Sequence, residues 1–492
     1  MLFNSHVFIL LFLPITLCGF YALGHAGRSN WARLWLVAAS LFFYGWWDVR
    51  YVPLLVGSVV INQAIGRGLG GGIKAEGARR GLLWLGVTAN LATLGWFKYA
   101  NFLVDEANRS LGAGITIPAI VLPLAISFFT FQQIAYLVDA WRTRKEERDP
   151  LDYAIFVTFF PQLIAGPIVH HREMIPQFAR DETYRLSRMN VQVGLTIFAI
   201  GLFKKVVIAD GIALQATPIF RAVELGATPD AFAAWTAALA YTLQLYFDFS
   251  GYSDMAIGLG RLFGVKLPLN FHSPYQATSI IEFWRRWHIT LSRFLRDYLY
   301  IPLGGNRRGR GRRYANLMVT MLLGGLWHGA GWTFVAWGGL HGLYLLIAHV
   351  FRAAMTRVGL SGRFGFLGRG LGCGTTFLAV VVAWVVFRAE SLGSAWTILS
   401  GMMGRYGVLW PEDWMRPFTQ LALLLALVWW APNTQSIMGR FDPALLAPGL
   451  ELEAPYWLQW RPSRAFAVAL AIITIWGVLG INRYSEFLYF QF

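Results

Sequence analysis

Charged side chains are scarce in this sequence: Asp, Glu, Lys and Arg supply 14% of the 492 residues, while 56% are hydrophobic. A soluble globular domain carries about a quarter charged residues, so a water-soluble fold is excluded. Cysteine is nearly absent. Cys18 and Cys373 both sit in apolar runs, with neither a CxxC pair nor the Cys/His spacing of a zinc site. A disulfide framework and a structural zinc are therefore excluded, and no metal site is expected. The short alternating segments of a membrane β-barrel are missing as well. The N-terminus, MLFNSHVFILLFLPITLCGFYAL, lacks the basic leader of a cleaved signal peptide, and Leu17 before Cys18 does not fit a lipoprotein cleavage site. It reads as a retained first span. The glycine-rich loop at 66–80 has no GK[ST] after it and no strand before it, so it is a flexible loop rather than a phosphate cradle.

Acidic residues are the minority sign. There are 26 Asp and Glu against 42 Lys and Arg, for a net charge of +16. No basic patch carries a nucleic-acid reading motif, so nucleic acid is not an expected partner. The excess belongs to cytoplasmic loops of a membrane protein. The clearest are WRTRKEERD at 141–149, a solvated charge run, and NRRGRGRR at 306–313, with five arginines.

What is present is a series of apolar runs of span length, near 5–23, 32–48, 52–65, 81–98, 191–209, 231–249, 331–351, 372–388, 417–431 and 464–482. They predict an all-α polytopic integral membrane protein whose lipid bilayer is a partner in its own right, with about 11–13 transmembrane or re-entrant helices. No boundary or repeat divides the chain, so residues 1–492 are read as one integral-membrane unit. Two stretches are broken: 117–140 by Pro118 and Pro123, and 153–170 by Pro161, Gly166 and Pro167. Broken helices at membrane depth survive where protein or a water-filled cavity satisfies the freed backbone groups.

Three stretches carry chemistry. In MLLGGLWHGAGWTFVAWGGLHG (321–342), His328 interrupts an apolar run beside Trp327. An ionisable side chain at membrane depth marks a functional site. If the helix runs unbroken from Arg313, His328 lies roughly 22 Å along it at about 1.5 Å per residue. The run QLYFDFSGYSDM (244–255) crowds Asp248, Ser250, Tyr252 and Asp254 at the end of a span. It admits two readings, a cap and turn with Ser250-Gly251 as a stop, or the lining of a cavity. Residues 274–303 are too polar to span simply. Helical spacing puts Arg285, Ser292 and Arg296 near one face and Trp284, Trp287, Leu291 and Phe294 on another, with Arg286 and Asp297 among them. That suits an interfacial or re-entrant helix ended by Pro302, Gly304 and Gly305.

Taken together, LYFDFSGYSDMAIGLG (245–260), SPYQATSIIEFWRRWHITLSRFLRDYLYIPLGGNRRG (273–309) and the His328 stretch resemble the membrane-bound O-acyltransferase family. The resemblance is to its alginate O-acetyltransferase-like branch. The opening MLFNSHVFILLFLPI, KYANF at 98–102 and FPQLIAGPI at 160–168 extend it nearly end to end. It implies a central cavity crossing the membrane, with the acyl donor on the cytoplasmic side and the acceptor on the other. The family's histidine falls on His328, and its second polar position on His288 of FWRRWH. His288 has an alternative reading as an interfacial cap or structural partner. His341 reads as structural, and His170 and His171 as headgroup-level residues. No bound cofactor is implied; acetyl-CoA is the implied donor. Imidazole suits the removal of a hydroxyl proton as the oxygen attacks a thioester. Trp327 N–H, or backbone amides near Gly324, Gly325 and Gly329, would face the oxyanion.

The C-terminal FLYFQF resembles the ending of a small protein that works with D-alanine-transferring relatives. By that resemblance Tyr489 takes the acetyl group and passes it to an extracytoplasmic, esterase-like acetyltransferase partner; the alternative is an interfacial anchor. The expected activity is O-acetylation of an exported polysaccharide across a bacterial inner membrane. Alginate is the first choice of acceptor, with peptidoglycan or cellulose as alternatives. A transporter without acyl chemistry is the reading from another class, and acylation of a lipid or protein ranks lower.

Overall fold

The structure is a computed structural model that describes residues 1–145, 147, 149–359 and 365–481. Among these the regular structure is helical, and its one extended pairing is a bridge between Pro268 and Leu445. A π-helical turn, Phe8–Phe12, leads into α1 (Leu13–His25), followed by α2 (Ser29–Gly45) and α3 (Val52–Arg67). Helix α4 (Glu76–Leu111) is longer than the span expected at 81–98. After an extended stretch that holds Pro118 and Pro123 come α5 (Ile126–Thr143), α6 (Pro150–Thr158), α7 (Phe160–Leu163) and α8 (His171–Phe178). The break expected in 117–140 from Pro118 and Pro123 is thus present, with helix only from Ile126, and Pro161 lies in the first turn of α7, after a break at Phe159. Helices α9 (Arg188–Phe203) and α10 (Asp210–Glu224) are joined by a π-helical turn at Lys204–Ala209, and α11 (Ala231–Leu262) follows.

The polar region contains α12 (Ile280–Arg286) and α13 (Ile289–Leu295). Then come α14 (Gly309–His328), α15 (Trp332–Arg357), α16 (Gly365–Arg388), α17 (Leu392–Met402), α18 (Met415–Trp430), α19 (Thr434–Ile437) and α20 (Arg464–Gly480). Among the described residues, four stretches are long and apolar enough to cross a bilayer: Phe8–His25, Val49–Gly72, Trp332–Arg357 and Gly365–Arg388. Their outward side chains, among them Val60, Ile61, Ile347 and Phe351, are exposed hydrophobics, as lipid-facing positions are. The chain is a polytopic helical membrane protein.

Two expectations are corrected. Ser250-Gly251 is not a stop, because α11 runs straight through it. The glycines serve contact instead. A Cβ on Gly251 would lie 2.8 Å from Gly201 O, and one on Gly258 would lie 2.6 Å from Gly194 O. Small residues let α9 and α11 approach backbone to backbone. Secondly, 284–296 is not one helix. The chain turns at Trp287 and His288, where His288 holds a left-handed φ of 42°, so the two faces expected from helical spacing do not exist as continuous faces.

Among the described residues the interior comprises two apolar clusters. The first half of α11 belongs to one, with Trp337 and Trp384. Its second half belongs to the other, with Trp327. His328 sits where they meet.

Candidate active site

Helix α14 runs unbroken to His328, its last residue, and Gly329 leaves it in extended conformation. The last carbonyls of a helix have no partner within it. Here α4 supplies the donors: Tyr99 Oη to Leu326 O at 2.8 Å, and Lys98 Nζ to Trp327 O and to His328 O, the latter at 3.2 Å. Lys98 also donates to Ser127 Oγ at 3.4 Å. The one amine thus reaches three acceptors at the C-terminal end of the helix. On the other side α14 packs closely on α15. A Cβ on Gly325 would lie 2.2 Å from Phe334 O, and one on Gly338 would lie 2.3 Å from Met321 O.

The His328 ring is enclosed by aromatics. Its centroid lies 5.0 Å from that of Trp327, 5.1 Å from Trp337 and 5.4 Å from Phe387. One edge meets a cavity of about 110 Å³ whose lining includes Trp47, Lys98, Pro123, Ser127, Trp327 and His328. Among the described residues no hydrogen bond holds the His328 ring, and Trp327 Nε1 is a buried donor without a partner. The cavity therefore has a base-capable imidazole in its wall, and the Trp327 N–H is a buried donor on the neighbouring residue. That is the equipment for proton removal and oxyanion stabilisation.

His288 is fully buried. Its Nδ1 lies 3.1 Å from Asn270 Oδ1, and its Nε2 has no partner among the described residues. The Trp327 ring stands beside both histidines, 6.3 Å from His288 between centroids. His341 is also buried, with Nδ1 accepting from Trp284 Nε1 at 3.3 Å, and its ring packs 4.7 Å from Trp337.

The other expected lining residues lie elsewhere. Asp248 pairs with Lys205 at 2.7 Å and Asp254 with Lys204 at 2.8 Å. Asp254 also accepts from Thr434 Oγ1 at 2.7 Å and Gln435 Nε2 at 2.9 Å. Ser250 and Tyr252 are buried on α11, and Tyr252 stacks on Phe3 at 4.7 Å. Arg285 is exposed, Arg286 pairs with Glu282 at 2.7 Å, and Arg296 pairs with Asp297 at 2.7 Å. Tyr489 lies outside the described residues, as do Phe487 and Phe492. Lys98 and Asn270 are additions from the structure. A lysine between apolar neighbours is a sequence signal for the first. The second has none, because its partners are distant in the chain.

The two ends of α4 differ in character. Near Glu76 the basic loops gather: Arg79 donates to Trp141 O at 2.8 Å, Arg144 pairs with Glu76 at 3.0 Å, and Arg142 reaches Asp297 O at 3.5 Å. The cavity lies toward the other end, where Tyr51 Oη donates to Val121 O at 3.0 Å and Trp332 Nε1 to Glu106 at 3.3 Å.

The model of the membrane-bound O-acyltransferase family matches residues 76–368, which include Lys98, Asn270, His288 and His328. The chain is 48% identical over 436 residues to the peptidoglycan O-acetyltransferase of Helicobacter pylori, covering 83% of this chain and 81% of that one. It is 45% identical to the probable alginate O-acetylase AlgI of Azotobacter vinelandii and 41% identical to that of Pseudomonas putida, each over 100% of both chains. With its helical membrane fold and a buried histidine at the edge of a cavity, the chain belongs to the membrane-bound O-acyltransferase family and is an O-acyltransferase.

Proposed function

We propose that the chain transfers acetyl groups from cytoplasmic acetyl-CoA, across a bacterial inner membrane, for O-acetylation of an exported polysaccharide. The observation that carries this reading is the placement of His328. It ends a helix that starts among basic residues, and it borders a cavity toward the opposite end of α4 from the basic loops. Basic loops face the cytoplasm, so the donor arrives on their side and the acceptor on the cavity side.

In this reading the acceptor oxygen attacks the thioester carbonyl carbon. His328 takes the hydroxyl proton, the C–S bond breaks, and the thiolate of coenzyme A recovers the proton. Trp327 Nε1 stabilises the oxyanion between the two steps. Tyr489 is the first acceptor, and an extracytoplasmic esterase-like partner moves the acetyl group from its phenolic oxygen to the polymer. Alginate is the acceptor favoured by the full-length match to alginate O-acetylases. Peptidoglycan is a second reading, favoured by the higher identity of the Helicobacter pylori relative.

The test is the O-acetyl content of both polymers in cells that lack the chromosomal copy and carry either wild-type or His328→Ala protein. The expected result is restoration of one polymer by wild type only, with equal membrane abundance of the two proteins. Undiminished acetylation with His328→Ala would remove the catalytic assignment.

A further inference from the structure

We infer that Asn270 is a positioning residue that holds His288 in its Nδ1–H tautomer, leaving the buried Nε2 as a hydrogen-bond acceptor for the reacting groups. The inference rests on the acyl-transfer reading above.

The direction of the network follows from groups that can only donate. Ile168 N–H donates to Thr290 Oγ1 at 3.0 Å. The Thr290 hydroxyl then donates to Asn270 Oδ1 at 2.9 Å. Thr290 N–H points at the same oxygen, at 3.4 Å. A backbone N–H has no acceptor role, so the end of the Asn270 amide that faces Thr290 is its oxygen. The NH₂ end goes to Ser253 Oγ at 3.2 Å. An amide oxygen only accepts, so His288 Nδ1, at 3.1 Å, carries a proton. In neutral imidazole the other nitrogen is then a bare lone pair. Among the described residues no carboxylate is hydrogen-bonded to the ring, whose neighbours include Phe249, 4.7 Å away between centroids, and Trp327.

Asn270 also fixes the backbone. Its carbonyl accepts from Ile289 N at 2.9 Å, beside the left-handed turn at His288. Asn270 is itself anchored by the pairing of Leu269 N with Leu445 O and of Leu445 N with Leu267 O, both 2.9 Å. One residue thereby sets both the place of the imidazole and which of its nitrogens is free. This is the orienting role that a third group plays toward a base in nucleophilic sites.

The experiment uses the full chain in proteoliposomes with ¹⁵N-labelled histidine, the His288 signals being identified by their loss in His288→Gln. The expected solid-state NMR signature is a protonated Nδ1 and an unprotonated Nε2. Asn270→Leu should abolish that signature and lower kcat for CoA release from acetyl-CoA by about 10–100-fold, with KM within about twofold. Asn270→Asp, which keeps an acceptor in place, should retain the signature and more turnover than the leucine variant. A proton on Nε2 of wild-type His288, or an unchanged kcat in Asn270→Leu, overturns the inference. The wild-type spectrum requires neither an acyl donor nor a variant at Asn270. It therefore reads out the tautomer even if Asn270→Leu does not fold or acetyl-CoA is not the donor.

Discussion

Lys98 on α4 donates to the carbonyl oxygen of His328, the last residue of α14, at 3.2 Å. The histidine is therefore held from behind, through its own backbone, by the amine of a lysine on a different helix. Nothing of the lysine needs to touch a substrate for it to matter.

Replacing Lys98 by Met keeps the length of the side chain and removes all three hydrogen bonds. Leaving a buried acceptor unsatisfied costs about 1–3 kcal/mol, and here the carbonyls of Trp327 and His328 are affected together. We expect a lower melting temperature in detergent and at least about a tenfold loss of acetyl transfer, because the ring of His328 moves with its backbone. Wild-type melting and acetylation together would show that the cap is dispensable.

Gly325→Ala and Gly338→Ala each place a methyl group against backbone, 2.2 and 2.3 Å from a carbonyl oxygen. Backbone cannot yield as a side chain can, so α14 and α15 must separate. Overpacking of this kind costs about 1–3 kcal/mol. Reduced abundance and activity are expected for both. Gly339→Ala, whose Cβ would meet only a Leu322 methyl at 3.6 Å, should be tolerated and serves as the control.

The pair Lys204–Asp254 is buried between α11 and the π-helical turn that follows α9. Removing one partner of such a pair typically costs about 3–5 kcal/mol, whereas replacing both with apolar residues is often neutral. Asp254→Leu should be poorly folded, and the double variant Lys204→Met/Asp254→Leu should recover. Size-exclusion profiles of the two decide it. Failure of the double variant to recover would mean that the Thr434 and Gln435 contacts to Asp254 matter more than the charge.

Tyr489→Phe should lose polymer acetylation at unchanged membrane abundance if its phenolic oxygen carries the acetyl group. Acetylation at the wild-type level would return Tyr489 to the role of interfacial anchor.

The position of His328 is legible in the sequence, as an imidazole within an apolar run that also matches a family motif, and α14 does run unbroken to it. The helical membrane fold is legible in the same way, from span-length runs. The polar run 244–255 reads as a span end with a cap or a cavity, since Ser250-Gly251 looks like punctuation in one dimension. In three dimensions Gly251 meets Gly201, and Asp248 and Asp254 meet lysines that lie far earlier in the chain. Sequence spacing cannot show a partner of that kind. The same holds for Asn270, whose contacts to Ser253, His288 and Thr290 exist only once three segments are assembled. The turn at His288 is hidden for another reason: the residues on both sides of it suit a helix, and the left-handed φ accompanies a hydrogen bond from Ile289 N to Asn270 O that only the folded chain makes.

Every residue of α11 from Tyr241 to Leu262 is buried. A segment so enclosed exchanges its amide hydrogens only when the surrounding helices part, so its protection reports the global opening free energy. The peripheral helices, which meet lipid, adapt to a thinner or thicker bilayer on their own account. Deuterium uptake should therefore rise from the rim inward as the membrane is varied, with α11 last to respond.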